Sequence, residues 1–110
     1  MDAFTAIAEP NRRKILELLA TLGALAAGDI YQHFSMTPAA VSQHLKALKE
    51  AKLVRVEKRK QQRIYSLDRE RLGELEAWVK RFTAKTEDAY SRLDVLLENE
   101  MKKLGENYGK

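Results

Sequence analysis

The spacing of apolar residues changes abruptly between Thr37 and Leu67, and that change constrains the fold more than any other feature. Val41, Leu45 and Leu48 recur four and three apart, the buried stripe of an amphipathic helix. A few residues later the period becomes two. Leu53-Val54-Arg55-Val56-Glu57 and Arg63-Ile64-Tyr65-Ser66-Leu67 alternate as paired strands do, with Lys58 to Gln62 at the tip. Thr37 supplies a capping hydroxyl just ahead of Pro38, whose missing N–H is harmless in a first helical turn. The tip has no glycine. A two-residue turn wants φ > 0 at a position filled here by Arg, Lys or Gln, so a longer, mobile tip is expected.

Helix geometry then sets what faces outward. At about 100° per residue, Ala39, Gln43, Lys46 and Glu50 lie farthest from the stripe, with Ala40 and Ser42 on its shoulders. That face is small and hydrogen-bonding near its N-terminal end, as a helix lying in a DNA major groove requires. Charge points the same way. Residues 37–65 hold eight Lys/Arg (Lys46, Lys49, Lys52, Arg55, Lys58, Arg59, Lys60, Arg63) against Glu50 and Glu57, a balance of +6 in a chain whose total is +4. Cation density on one helix–hairpin unit is the electrostatic footprint of a nucleic-acid binder. An ordinary solvated face is the competing reading, disfavoured because the charge adjoins a polar outward helix face.

The flanking segments read as a scaffold. Phe4, Ile7 and Ala8 suggest a short opening helix. After Pro10, the residues Ile15, Leu18, Leu19 and Leu22 repeat at helical spacing until Gly23. Residues 28–34 fit a third helix packing Ile30, Tyr31 and Phe34 inward, its start poorly capped by Ala26 and Ala27. Asp68 is placed to cap a last helix over about residues 69–104, on the order of 50 Å long. Along it Leu72, Leu75, Val79, Phe82, Thr86, Ala89, Leu93 and Leu96 form a heptad seam, and Leu93, Leu97, Met101 and Leu104 a competing register. A stripe that long exceeds what so small a domain can cover, and a second copy is the expected cover.

Length and composition bound the rest. One domain of 110 residues, 45% hydrophobic and 33% charged, is expected to be globular. It has no cysteine, which removes disulfides, thiolate ligands and cysteine nucleophiles together. The N-terminus lacks a signal peptide's basic start and apolar run, and no stretch approaches about 18 apolar residues, so no membrane partner and a cytoplasmic location are expected. No Gly-rich phosphate loop, H-E-x-x-H or G-x-S-x-G is present, and catalysis is not expected.

Three motifs in order resemble the ArsR-type (ArsR/SmtB) family of bacterial winged-helix repressors. Ile7-Ala8-Glu9-Pro10-Asn11-Arg12-Arg13-Lys14-Ile15-Leu16-Glu17-Leu18-Leu19 is similar to that family's opening segment. Thr37-Pro38-Ala39-Ala40-Val41-Ser42-Gln43-His44-Leu45-Lys46-Ala47-Leu48 is similar to its recognition-helix signature. Arg63-Ile64-Tyr65-Ser66-Leu67 fits its returning wing strand. The resemblance covers about residues 4–70. It implies a mainly α fold with a small antiparallel β-hairpin: a winged helix-turn-helix domain over residues 1–68 and a C-terminal dimerisation helix over 69–110 within the same structural unit. It also implies a homodimer joined by the first and last helices, repressing transcription from an inverted-repeat operator in double-stranded DNA. Many members sense metals through a cysteine cluster in the third helix, where this chain reads Ala26-Ala27-Gly28-Asp29-Ile30. Others use Asp and His on the last helix, but residues 68–110 contain no histidine. No metal site and no cofactor are expected.

The candidate DNA contacts are Thr37, Ala39, Ser42, Gln43, His44, Lys46, Lys58, Arg59, Lys60 and Arg63. Gln43 can pair bidentately with adenine, whereas Ser42 and Thr37 discriminate weakly and Thr37 also caps its helix. Lys46, Arg59, Lys60 and Arg63 suit phosphates or, for a tip arginine, a narrow minor groove. His44 lies about 60° from the buried stripe. A half-buried histidine making a structural hydrogen bond is favoured over a ligand or base, and the resemblance leaves a DNA-backbone contact open. His33 reads as surface or packing, and Arg12 and Arg13 as ties from a helix start to a neighbouring segment. Phe4, Ile7, Leu75, Trp78, Val79, Phe82 and Leu93 are the candidate dimerisation residues. A protein-interaction module, or a repressor with a small-molecule effector in an aromatic pocket, remains the alternative; the effector's identity is open.

Overall fold

The helix expected after Thr37 forms because its two ends are closed locally and its stripe is buried. The computed structural model describes the backbone of residues 1–107 and the side chains of residues 1–84 and 96–101. The elements are α1 (Ala3–Ala8), α2 (Pro10–Leu22), β1 (Leu25–Ala26), α3 (Ala27–Gln32), α4 (Pro38–Glu50), β2 (Val54–Arg59), β3 (Gln62–Leu67) and α5 (Arg69–Asn107). By internal contacts the chain divides into two compact units, Met1–Gly73 and Glu74–Lys110.

In α4 the Ala40 N–H donates to Thr37 Oγ1 at 3.2 Å, while Val41, Leu45 and Leu48 are fully buried. Burying each such side chain is worth roughly 1.5–3 kcal/mol. The C-terminal end closes with paired bonds, Leu53 N–H to the Leu48 carbonyl and Lys52 N–H to that of Lys49, each 3.0 Å long. This is a Schellman closure with Lys52 in the left-handed region at φ 63°, where glycine is the usual occupant. It turns the chain directly from α4 into β2.

The first unit's core is completed by Ile15 and Leu19 of α2, Ile30 of α3, Leu53, Val54, Tyr65, and small residues of α1 and α4. Helix α1 buries Ala3 and Ala6, whereas Phe4 is exposed and Ile7 half-buried. Leu22, the last apolar residue of the helical repeat in α2, is exposed in its last turn, just before Gly23 redirects the chain at φ 81°. The third helix begins at Ala27, not Gly28, and stops at Gln32, before His33 and Phe34. Its start carries no side-chain cap bond, as the alanines there foretold.

Two features depart from the sequence expectation. The sheet has three strands in the order β1-β3-β2, all antiparallel, not two. Leu25 and Ala26 pair with Tyr65 and Ile64, satisfying β3's second edge. The hairpin also stays paired to Arg59↔Gln62, leaving a two-residue turn of Lys60 and Gln61 in place of the longer tip expected. Lys60 adopts φ 55° to make it. Six registered pairs outweigh the cost of one non-glycine left-handed residue, about 1–2 kcal/mol. Helix α5 starts at Arg69 with the Arg71 N–H donating to Asp68 Oδ1 at 3.1 Å.

Candidate nucleic-acid interface

Because α4 turns its stripe inward, the opposite face is solvent-exposed along Ala39, Ser42, Gln43 and Lys46. With Lys49, these residues form one wall of an open groove of ≈ 490 Å³, whose other wall is Val56, Arg63 and Tyr65 from the hairpin. Five of the ten expected contacts therefore meet in one place: Ala39, Ser42, Gln43, Lys46 and Arg63. Thr37 is exposed at the head of α4, with its hydroxyl engaged as the cap. Lys58, Arg59 and Lys60 are exposed toward the hairpin's turn and do not line the groove.

Lys49, Val56 and Tyr65 are groove residues that sequence reasoning overlooked. The signal was present: Lys49 is one turn beyond Lys46, and Val56 and Tyr65 become cross-strand partners once the register is set.

His44 points elsewhere. It is half-buried, and its Nδ1 stands 3.8 Å from Glu9 Oε2. The same carboxylate caps α2, accepting from the Arg12 N–H at 2.9 Å and from Asn11 Nδ2 at 3.2 Å. Partial burial pushes the Glu9 carboxyl up. The Arg12 N–H, the neighbouring His44 and the Asn11 backbone N–H outweigh it and hold Glu9 below the usual carboxylate range. Glu9 thus faces α4 from the head of α2. Arg12 and Arg13 act as ties, as expected. Arg12 Nε donates to the Ala6 carbonyl at 2.7 Å and Arg13 Nη1 to that of Ile7 at 2.9 Å, capping the open end of α1.

Not every cation near the groove is available to a ligand. Arg55 Nε lies 3.3 Å from Asp68 Oδ2, with Glu70 Oε2 3.9 Å from its Nη2. The hydrogen bond from the Arg71 N–H, opposed by partial burial and assisted by Arg55, holds Asp68 below the ordinary carboxylate range. Arg59 Nη2 contacts Glu57 Oε2 at 3.2 Å. His33 is exposed. Among the described residues no three His, Cys, Asp or Glu side chains cluster as a metal site would require.

On α5, Trp78, Val79 and Phe82 are exposed and Leu75 is half-buried. Trp78 and Phe82, one turn apart, meet with ring centroids 4.5 Å apart and their planes tilted by 59°. Leu93 lies outside the residues whose side chains are described. No described helix is long and apolar enough to cross a membrane.

Known proteins share this fold. The profile of bacterial regulatory proteins of the arsR family matches residues 9–56, from the Glu9 cap through α4 into β2. The transcriptional repressor SdpR of Bacillus subtilis is 38% identical over 84 residues, which span 76% of this chain and 92% of that protein. The chain belongs to the ArsR family. A second relative, the HTH-type transcriptional regulator Rv2034 of Mycobacterium tuberculosis, is 38% identical over 91 residues, 83% of this chain and 84% of the relative. A crystal structure described as a possible transcriptional regulator for arsenical resistance superimposes with a TM-score of 0.67 at 36% identity, covering 74% of this chain and 84% of that one. The function of this family is DNA-binding transcription regulation. The family is one of regulators, not enzymes.

Proposed function

We propose that the protein is a homodimeric repressor that binds a near-palindromic operator, with α4 in the major groove and the hairpin alongside it. The observation that carries this reading is the meeting of Ala39, Ser42, Gln43, Lys46 and Arg63 along one exposed groove. The slim residues let the helix approach base edges, Gln43 and Ser42 offer hydrogen bonds to them, and the cations answer the phosphates. In a two-fold pair the two α4 helices would sit about 34 Å apart, one turn of B-DNA. Repression is supported by the likeness to the repressor SdpR, which matches along most of its length. Such a regulator works in the cytoplasm, beside the bacterial chromosome.

Dimerisation is supported by α1 and α5. Phe4 on α1 and, separately, Trp78, Val79 and Phe82 on α5 are at least 40% exposed, large apolar side chains that a monomer in water does not favour leaving uncovered. The dimer contacts are accordingly assigned to Phe4, Ile7, Leu75, Trp78, Val79 and Phe82.

The test combines operator selection with sedimentation. Duplexes selected by the purified protein should contain inverted half-sites, and affinity should fall steeply with salt, by roughly 0.9 log unit per log unit of salt for each phosphate neutralised. Phe82→Glu should convert the dimer to monomer and lose operator binding together. Selected sequences without two-fold symmetry, or Phe82→Glu remaining dimeric, would overturn the proposal.

A further inference from the structure

Glu9 stands where three helices meet. It ends α1, caps α2 and faces α4, where its Oε2 lies 3.8 Å from His44 Nδ1. The imidazole is 19% exposed and the carboxylate 30%, so solvent screens them less than it would an open surface pair. At 3.8 Å the two groups are too far apart for a hydrogen bond. What joins them is charge, and that attraction exists only while the imidazole is protonated. Histidine is the side chain whose ordinary change of charge falls between about pH 5 and 8.

No other acid competes for His44. Its neighbours one turn away on α4 are Ala40, Val41, Ala47 and Leu48, all uncharged. Helices α1, α2 and α3 and strand β2 pack against α4. Between Ala3 and Ala8, α1 has no ionisable side chain, and its cap Asp2 accepts from the Thr5 N–H at 2.7 Å. Arg12 and Arg13 of α2 are held by α1 carbonyls, and Lys14 is exposed. The ionisable groups of α3 are Asp29 and Tyr31. On β2, Arg55 pairs with Asp68 and Arg59 with Glu57, while Lys58 is exposed toward the hairpin's turn. Among the described residues Glu9 is the one carboxylate within 4.0 Å of His44; Glu17, Asp29 and Glu57 do not reach it.

The pair has leverage over DNA reading because of where it sits. Val41, Leu45 and Leu48 hold α4 by burial, which is non-directional and specifies rotation about the helix axis only weakly. His44 lies at the edge of that stripe. Its partner is fixed in turn, accepting from the Arg12 N–H at 2.9 Å and from Asn11 Nδ2 at 3.2 Å. Turning a helix by about 10° carries side-chain tips about 5–6 Å from its axis through about 1 Å. A displacement of that size separates a productive contact from a lost one.

We propose that Glu9 and His44 are positioning residues for DNA reading. When the imidazole carries its proton, the pair locks the rotation of α4 against the head of α2, Ser42 and Gln43 meet base edges in register, and operator affinity rises as pH falls below neutrality. Glu9, held below 4.5, stays charged throughout that interval. This rests on the reading of α4 as the helix that enters the major groove, and adds to it a proton-controlled joint. His44 acts through α4 and does not touch DNA.

The experiment measures affinity for a selected operator between pH 8 and pH 5.5 at fixed ionic strength, using full-length wild type, His44→Gln, Glu9→Gln, the double variant and His33→Gln. Wild type should tighten by about 1.4- to 5-fold per protomer, the range for a partly exposed ion pair. His44→Gln and Glu9→Gln should each flatten the profile, and the double variant should be no flatter than either. Replacing His33, the only other histidine, should leave the wild-type profile. Glu9→Gln keeps an oxygen for the Arg12 N–H, so α2 stays capped while the charge is lost. The salt slope of the wild type should be the same at both ends of the range, because the joint neutralises no phosphate. A direct His44–phosphate contact would instead steepen it at pH 5.5 by about 0.9 per contact and would survive Glu9→Gln. Such a steepening, a profile that Glu9→Gln leaves intact, or a wild-type affinity indifferent to pH would overturn the joint while leaving DNA binding in place. Failure of the wild type to bind any selected duplex would overturn the underlying reading of α4 as well.

Discussion

Replacing Gln43 with alanine should separate sequence reading from general affinity. The side chain is exposed on the face of α4 opposite the buried Val41, Leu45 and Leu48. Its loss should therefore leave folding stability within about 0.5 kcal/mol. A bidentate glutamine–adenine contact discriminates against the wrong base by about 1–3 kcal/mol. The proposed two-fold dimer would make that contact twice, at half-sites too far apart to couple, so the two losses would add to about 2–6 kcal/mol. The assay is competition anisotropy against operators carrying each base at each half-site position. Gln43→Ala should compress the spread of affinities at one position by that amount. The salt slope should be unchanged, because glutamine neutralises no phosphate. A uniform loss on operator, mismatched and random DNA would refute the reasoning, and so would a flattened slope.

Gly23→Ala should cost about 1–3 kcal/mol in urea unfolding at fixed protein concentration. Nothing lies within 4 Å of the added Cβ, so the whole cost comes from φ 81°, and a neutral result would show that the turn relaxes freely. Thr37→Ala should destabilise by about 0.5–2 kcal/mol through loss of the Ala40 cap; an unchanged urea midpoint would mean that Pro38 and the buried stripe define the helix start unaided. Acid should weaken the fold through Asp2, Glu9 and Asp68, whose carboxyls are all held below their ordinary values of 3.8 and 4.5. Groups depressed in the folded state stabilise it fully above those values and lose that contribution as pH falls through the folded ones. The urea midpoint should therefore drop between about pH 5 and pH 2, and a midpoint that held steady would contradict those assignments.

What could be read in advance was whatever a local period or cap encodes. The α4 stripe, its outward face, the Thr37 and Asp68 caps, and the alternation of the hairpin each depend on residues within a turn or a strand of one another. The strand β1 was illegible because two residues, Leu25 and Ala26, carry no period. They become a strand only because β3 offers an open edge. The tight turn was misread because glycine preference is a local argument, whereas the register that forces Lys60 to φ 55° is set along the whole hairpin. The candidate site was half legible for the same reason. Ser42, Gln43 and Lys46 follow from helix geometry, but that Tyr65 and Val56 form the facing wall depends on how α4 docks against the sheet. The His44–Glu9 approach likewise joins residues 35 positions apart in sequence.

The interior of α1 shows how an unusual face can be more informative than a regular one. Its buried residues are Ala3 and Ala6, whereas the bulkier Phe4 is exposed and Ile7 only half-buried. A helix stabilised by its own domain alone would be expected to place its largest apolar groups inward, since burial free energy scales with apolar area. The small residues instead let α1 lie close against the core, and Arg12 and Arg13 hold its carbonyl end from α2, so its placement does not depend on burying Phe4. The aromatic side chain thereby stays on the surface. On α5, Trp78, Val79 and Phe82 repeat the pattern, large apolar groups at helical spacing left exposed. Polar ties position the elements, small residues seal the interior, and the largest side chains remain exposed, as the proposed dimer requires. That division accounts for a stable first unit in which the expected dimerisation residues are not needed for the core.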